Sequence, residues 1–159
     1  MRDARARGVS VRRLRHDTLQ RPFHGVRMPA RDELTTDAES STAKEAATLS
    51  AEIIGLATAL ATIAPAHWFF SHVTAAVLWG LPLPIRVLRR AVRTVEYRHE
   101  THPPLGIDVA AWTPHRAPKG RGVNGHELRP RLVRASTTAG LPVSTPASTW
   151  ALLGGILSV

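Results

Sequence analysis

The block Ile53–Ile85 contains no Asp, Glu, Lys or Arg, although charged residues make up 21% of the 159-residue chain. A stretch of that length without charge is not a solvated surface segment, so it lies in a protein core or in a membrane. Proline disrupts a helix interior, and Pro65 therefore divides the block. The apolar parts are Ile53–Ala64, about 12 residues long, and Ala66–Leu81, about 16 residues long, whereas a membrane-spanning helix needs about 20. We therefore expect a protein core and no membrane partner.

Local patterns predict a mixture of helices and strands. Alanines and larger apolar residues at helical spacing predict a helix over Thr42–Ala64. Ser71 is a candidate N-cap for a second helix, Ser71–Trp79, and Gly80 suits its C-terminal end. A short helix is expected after Ser10 and a final helix over Ser148–Leu153. Phe23–Met28 is predicted to form a short strand or hairpin, and strand patterns fall at Ile107–Trp112, Glu127–Ala135 and Leu141–Val143. The fold class is predicted to be α+β, with a central helical pair and a small antiparallel sheet with long loops.

Charge divides the rest of the chain, whose net charge is +9. Residues 1–31 hold nine Arg against two acidic residues, and residues 32–52 hold six acidic residues against one Lys. The segment after Arg86 is basic again and is predicted to form irregular β-structure with loops, including a basic, Gly-rich loop over Arg116–Gly125. We predict a basic unit over 1–31, an acidic polar linker over 32–50 and the main domain over 51–159.

The basic N-terminal unit is the candidate DNA-binding element. Arginines on a short helix and a following hairpin can contact phosphates, and a few of them can reach base edges. The alternative interpretation is a solvated basic tail. The predicted DNA-binding residues are Arg12, Arg13, Arg15, Arg21 and Arg27.

Few other patterns point to chemistry. The chain has no Cys, which excludes disulfides and thiolate metal sites. His99 and His102 are three apart, whereas the helical zinc motif needs a spacing of four. Asp108 with Glu127 faintly resembles a metal-dependent nuclease pattern, but Arg129 stands where a Lys is needed. We therefore expect no catalytic residues, no metal site, no cofactor and no enzyme activity.

Four motifs in matching order resemble AbiEi-type antitoxin-like proteins of high-GC bacteria, an uncharacterised family that is associated with very-short-patch-repair endonucleases. The longest, Phe70–Pro84 (FSHVTAAVLWGLPLP), is similar to the central signature of that family. The other three are Pro22–Arg27 (PFHGVR), Arg121–His126 (RGVNGH) and Gly140–Trp150 (GLPVSTPASTW).

The resemblance implies a winged-helix remnant in residues 1–31 and an antitoxin-like α+β domain over 51–159 that is truncated at its C-terminus. It implies an antitoxin-like DNA-binding protein, cytoplasmic, with autorepression of a toxin–antitoxin operon and a cognate toxin protein as further expectations. The alternative is a truncated scaffold part of an endonuclease-like protein, without its catalytic domain. The residues that form the core of the family signature are Ser71, His72, Thr74, Trp79, Gly80 and Pro82.

The histidine of the signature and the tryptophans of the chain each admit two interpretations. His72 is either a ligand or interface residue, or a buried histidine that is hydrogen-bonded so that it holds the Ser71 turn; buried polar groups need partners, which favours the second. The four tryptophans are expected to fill the core rather than to stack on bases.

Overall fold

The computed structural model describes residues 2–16, 18–29, 42–92 and 106–157. It contains helices and strands together, so the predicted α+β class is confirmed. The helices are α1 (Arg2–Ala6), α2 (Val11–Leu14), α3 (Thr42–Ala61), α4 (His72–Leu78), α5 (Ile85–Val92) and α6 (Pro146–Leu153). The strands are β1 (Leu19–Gln20), β2 (Met28–Pro29), β3 (Trp68–Phe70), β4 (Ile107–Trp112), β5 (Val123–Leu128), β6 (Ala135–Thr138) and β7 (Leu141–Ser144).

The N-terminal unit consists of α1, α2 and the two-stranded β1–β2 sheet. Ser10 caps α2 as predicted, because its side-chain oxygen accepts the backbone N–H of Arg13 at 3.2 Å. Of the two alternatives predicted for Phe23–Met28, a short strand or a hairpin, the structure has the hairpin, because the segment forms the turn between the antiparallel strands β1 and β2. Phe23 and Val26 are buried in the main core, and the segment turns there with a hydrogen bond from the Val26 N–H to the Phe23 carbonyl. The paired strands lie on either side of that turn.

Helix α3 confirms the helix predicted before Pro65, and one side of it enters the core. Ile53, Leu56, Ala57 and Leu60 are buried at the spacing of a single helical face. Near its N-terminus, Glu45 accepts a bidentate pair of hydrogen bonds, each 2.7 Å long, from Arg89 of α5. This exposed pair links the two helices.

Helix α5 lies in a segment for which the sequence predicted only irregular β-structure, so that prediction is wrong. The helix is amphipathic: Val87, Leu88 and Ala91 are buried, whereas Arg89 and Arg90 are exposed. The helix was missed because three arginines in eight residues make the segment polar on average, although its apolar residues lie in a stripe on one face. The stripe still buries enough apolar surface for the helix to pack on α3 and α4.

The main sheet has five strands in the order β5–β4–β3–β7–β6. Its pairs β3–β4 and β6–β7 are antiparallel, whereas β3–β7 and β4–β5 are parallel. The predicted antiparallel sheet is therefore corrected to a mixed one. The segment between β4 and β5 is much longer than the two to five residues of a hairpin loop, so the chain has the length to return and pair in parallel.

Strand β5 also differs from its prediction. Basic loop was expected up to Gly125 and a strand over Glu127–Ala135, but β5 occupies Val123–Leu128 and a turn follows it. Gly122, at φ +74°, ends the loop, and all six residues of β5 pair with the six residues of β4. Tertiary pairing with β4 thus outweighs the low strand propensity of the Asn124-Gly125 step.

Apolar clusters lie on both faces of the sheet. The larger contains α3, α4, α5 and the inward residues of β3, β4 and β7, and the smaller is centred on Phe69, Ala110 and Val133. Much of the uncharged block is therefore protein core. Trp150 is an exception to the expected burial of the tryptophans, since it is 68% exposed on α6. Among the described residues no helix has the length and apolar character to cross a membrane.

Candidate functional site

The arginines predicted to contact DNA occupy two kinds of position. Arg12, Arg13 and Arg15 are exposed on α2 and at its C-terminal end, while Leu14 of the same helix is 5% exposed and anchors it. Arg21 is exposed beside the β1–β2 sheet. In the part of the chain that the structure describes, the guanidinium groups of these four residues form no hydrogen bond or ion pair.

Arg27 faces inward instead. Its side chain donates hydrogen bonds to the Leu14 carbonyl at 3.3 Å and to its own neighbour's carbonyl, that of Val26, at 2.8 Å. The contact with Leu14 ties the end of α2 to the hairpin. Arg27 is thus committed to holding the N-terminal unit together.

The residues that form the core of the family signature separate into buried and exposed ones. Ser71, His72 and Thr74 are buried, and Trp79 is half-buried with its indole N–H donating to the Ser144 carbonyl at 2.8 Å. Gly80 and Pro82 are exposed. Gly80 ends α4 at φ +69°, and the chain beyond it runs along the surface.

A second site, which the sequence did not predict, is formed by His72, Asp108 and His126. One nitrogen or oxygen atom of each residue lies within 4.8 Å of the corresponding atoms of the other two. The His126 Nε2 is 2.9 Å from the Asp108 Oδ1, and the rings of His72 and His126 stack with centroids 3.8 Å apart and planes at 25°. Asp108 is 2% exposed and His72 is 9% exposed, so the cluster is sheltered from solvent.

Strand register explains why these side chains meet. Asp108 of β4 is paired with Asn124 of the parallel strand β5, and side chains alternate between faces along a strand. Asn124 and His126 therefore project on the face of Asp108, with Gly125 between them. The backbone carbonyl of Asp108 also accepts the N–H of Ser71 at 3.2 Å. This bond brings the start of α4, and with it His72, next to Asp108.

The carboxylate of Asp108 is the centre of the hydrogen-bond network. Its Oδ1 accepts the Asn124 side-chain amide at 2.7 Å as well as the His126 ring, and its Oδ2 accepts the backbone N–H of Val73 at 3.1 Å. Its own N–H donates to the Thr74 hydroxyl at 2.9 Å. The carboxylate is thus held in one orientation by hydrogen bonds from α4 and β5.

His72 is held in an unusual conformation at the first position of α4. Its φ is +46°, in the left-handed region that non-glycine residues rarely adopt. Its Nδ1 is hydrogen-bonded to the Ser71 hydroxyl at 3.0 Å, as the interpretation of a buried, hydrogen-bonded histidine predicts. Burial and, to a smaller extent, the charge of His126 lower the pKa of His72 to about 4, although the charge of Asp108 opposes both. The His72 imidazole is therefore neutral at pH 7. Its Nε2 takes no part in the hydrogen bond to Ser71.

The cluster forms one wall of an open cavity of about 400 Å³. The other walls are formed by Arg90 of α5, by Leu152 at the C-terminal end of α6 and by Ile156 beyond that helix. Two imidazoles and a carboxylate are a common ligand set for divalent transition-metal ions. The cavity also offers a positive charge at Arg90 for an anion.

The sequence contained a signal for this site that our predictions did not use. Asp108 is the only charged residue in the otherwise apolar run Ile107–Trp112, and a charge in a buried strand needs partners. We considered it only with Glu127, which alternates to the opposite face from His126 and is exposed. The rejected zinc motif at His99 and His102 lies outside the described residues, as does most of the predicted linker 32–50.

Comparisons with protein-family models, with curated proteins and with solved structures find no match to this chain.

Proposed function

We propose that this chain is an antitoxin-like protein that binds DNA through the exposed arginines of its N-terminal unit. The observation that carries the proposal is the orientation of α2, on which Arg12, Arg13 and Arg15 face solvent while Leu14 anchors the helix. Phosphate binding by side chains on an anchored helix costs less conformational entropy than binding by a free tail. The absence of described acidic partners for these groups leaves them available for phosphates.

The order of elements supports the same interface. Two short helices followed by a two-stranded hairpin are the order found at the end of a winged helix, in which a helix contacts a groove and the hairpin contacts the backbone. Arg21 lies at the hairpin and is exposed, so we assign it a phosphate contact. Arg27 is left out of the proposed interface because its side chain is engaged with Leu14.

Autorepression and the binding of a toxin rest on the resemblance of the four motifs. Apolar surface for a protein partner is present at Leu132 and Trp150, which are 78% and 68% exposed. The alternative, a scaffold part of an endonuclease-like protein, depends on the same resemblance. Asp108 and Glu127 give it no support, since they face opposite sides of the sheet.

The test is fluorescence anisotropy with two duplexes of equal length, one from the region upstream of the gene and one of shuffled sequence. Affinity is measured between about 50 and about 200 mM salt, because each phosphate contact contributes about 0.9 to the slope of log affinity against log salt. A variant with Arg12, Arg13 and Arg15 changed to Gln is compared with a control in which Arg129, Arg131 and Arg134 are changed to Gln. Both variants lose three exposed positive charges.

We expect the first variant to lower the slope by roughly 2 to 3 and the control to leave it nearly unchanged. Equal losses in the two variants would mean that net charge alone attracts the duplex, which contradicts the proposed interface. Tighter binding to the upstream duplex than to the shuffled one supports autorepression. Equal binding to both argues against it.

A further inference from the structure

We propose that His72, Asp108 and His126 form a binding site for a divalent transition-metal ion of the zinc type, with an open coordination position facing the cavity. This inference is independent of DNA binding, because the cluster belongs to α4, β4 and β5 and not to the N-terminal unit. Two imidazoles and one carboxylate match the ligands that zinc takes in sites with an exchangeable fourth position.

The hydrogen bond between His126 and Asp108 marks where the ion sits. Their Nε2 and Oδ1 atoms are 2.9 Å apart, and two ligand atoms of a tetrahedral zinc ion are roughly 3.3 Å apart, given bond lengths near 2.1 Å. A shift of a few tenths of an ångström therefore lets the ion take the place of the proton between them. Metal binding would release that proton.

The surrounding hydrogen bonds resemble those that orient metal ligands. The Ser71 hydroxyl engages the Nδ1 of His72 and leaves its Nε2 as the ligand atom. The Asn124 amide and the Val73 N–H hold the two oxygens of Asp108. Ligating histidines and carboxylates are generally fixed by such outer contacts.

The backbone of His72 provides a second, independent observation. A φ of +46° at a histidine is strained, and strain of this kind is concentrated at functional sites, where the surrounding structure holds it. Here it directs the ring onto His126 and toward Asp108.

The remaining walls of the cavity indicate what occupies the open position. Arg90 contributes a positive charge to a space of about 400 Å³ that is open to solvent. With the ion bound, two positive groups face one another across the space. The exchangeable ligand is therefore water or a small oxyanion such as phosphate, for which Arg90 offers a forked donor.

The chain also contains a matched control. His67 and His115 form another stacked pair, with centroids 4.1 Å apart and planes at 21°, very similar to the pair at the proposed site. Throughout the described ranges, the group of His72, Asp108 and His126 is the one in which a carboxylate joins such a pair. The pair His67 and His115 therefore tests whether two stacked histidines can bind the ion without a carboxylate.

The experiment is titration of the full chain, without an affinity tag, with Zn²⁺ by calorimetry and with Co²⁺ by absorption spectroscopy. We expect one equivalent of Co²⁺ with the intense visible bands of a four- or five-coordinate site. H126Q and H72N should each weaken Zn²⁺ binding by at least about a hundredfold, and N124A by about tenfold as an outer contact. The double control H67Q/H115Q should leave the affinity unchanged.

Circular dichroism before each titration establishes that the variants are folded. H126Q is the decisive variant, because its side chain is 22% exposed and its loss leaves the cap of α4 in place. The proposal is overturned if the wild-type chain shows no saturable binding of Zn²⁺ or Co²⁺. It is equally overturned if folded H126Q binds as tightly as wild type, or if H67Q/H115Q loses the ion to the same extent.

Discussion

The Oδ2 atom of Asp108 accepts the backbone N–H of Val73 at 3.1 Å across 35 residues of sequence. Ser71 occupies the N-cap position of α4 but its side chain makes no capping hydrogen bond, because its hydroxyl is engaged with His72. A strand residue thus supplies the cap that the local sequence was predicted to supply. The same carboxylate also bonds Asn124 and His126, so it joins α4 to both parallel strands.

We predict that D108A lowers the free energy of unfolding by about 2 to 4 kcal/mol. The substitution removes a helix cap and leaves buried donors of Val73 and Asn124 without an acceptor. D108N should be milder, since the Asn oxygen can still accept one of these bonds. Urea denaturation measures both, with E127Q, an exposed carboxylate on β5, as the control expected to change stability by less than about 0.5 kcal/mol. Equal effects of D108A and E127Q would contradict the assigned cap.

Stability is predicted to depend on pH through His72. Its pKa falls from 6.5 to about 4 on folding, because burial opposes the charged ring and His126 repels it while Asp108 attracts it. The unfolded chain therefore binds the proton more readily between these values. The contribution of His72 is complete above about pH 6.5 and is lost progressively as the pH falls toward 4.

The expected loss is about 2 kcal/mol, less than the full shift implies because water still reaches part of the ring. Denaturation of wild type and H72N at a series of pH values, with a chelator present, isolates this contribution. Asn tolerates the left-handed backbone of position 72, so H72N keeps the turn. A stability difference between the two proteins that does not vary with pH would show that His72 does not titrate in this way.

Local patterns were sufficient for the elements whose partners are close in sequence or whose period is strong. The helix before Pro65, the Ser10 cap and the strand Ile107–Trp112 are confirmed, because apolar spacing and cap residues determine them directly. Helix α5 was missed because Arg86, Arg89 and Arg90 outweighed its apolar stripe in the average.

Sheet direction and the metal-ligand cluster depended on contacts distant in sequence. No local property of Val123–Leu128 reveals that it pairs in parallel with β4, yet that pairing alone places His126 beside Asp108. His72 and His126 lie in two of the motifs that carry the resemblance. The order of motifs along the chain does not show that the two side chains are close in space. The single aspartate in a buried strand was the one local sign that partners were required.

Gly125 is predicted to be intolerant of any side chain. A Cβ at this position would lie 1.7 Å from the Pro118 carbonyl oxygen, which is backbone and cannot turn aside. We expect G125A to cost at least about 2 kcal/mol and to displace the strand that carries Asn124 and His126. G155A is the control, since nothing lies within 4 Å of the equivalent Cβ and its effect should stay within about 0.5 kcal/mol. Thermal unfolding that ranks the two variants equally would refute the close approach of β5 to Pro118.

The burial of the uncharged block can be tested on two adjacent residues of α3. Ile53 is fully buried in the main core, whereas Ile54 is 41% exposed. Removal of the same atoms from each therefore differs only in environment: I53A should cost about 2 to 5 kcal/mol because it leaves a cavity, and I54A less than about 1 kcal/mol. Both carry the same helix-propensity change, so the difference in urea denaturation midpoint reports burial alone. Comparable losses would mean that α3 does not present the Ile53 face to the sheet, and that the uncharged block is covered by some other surface.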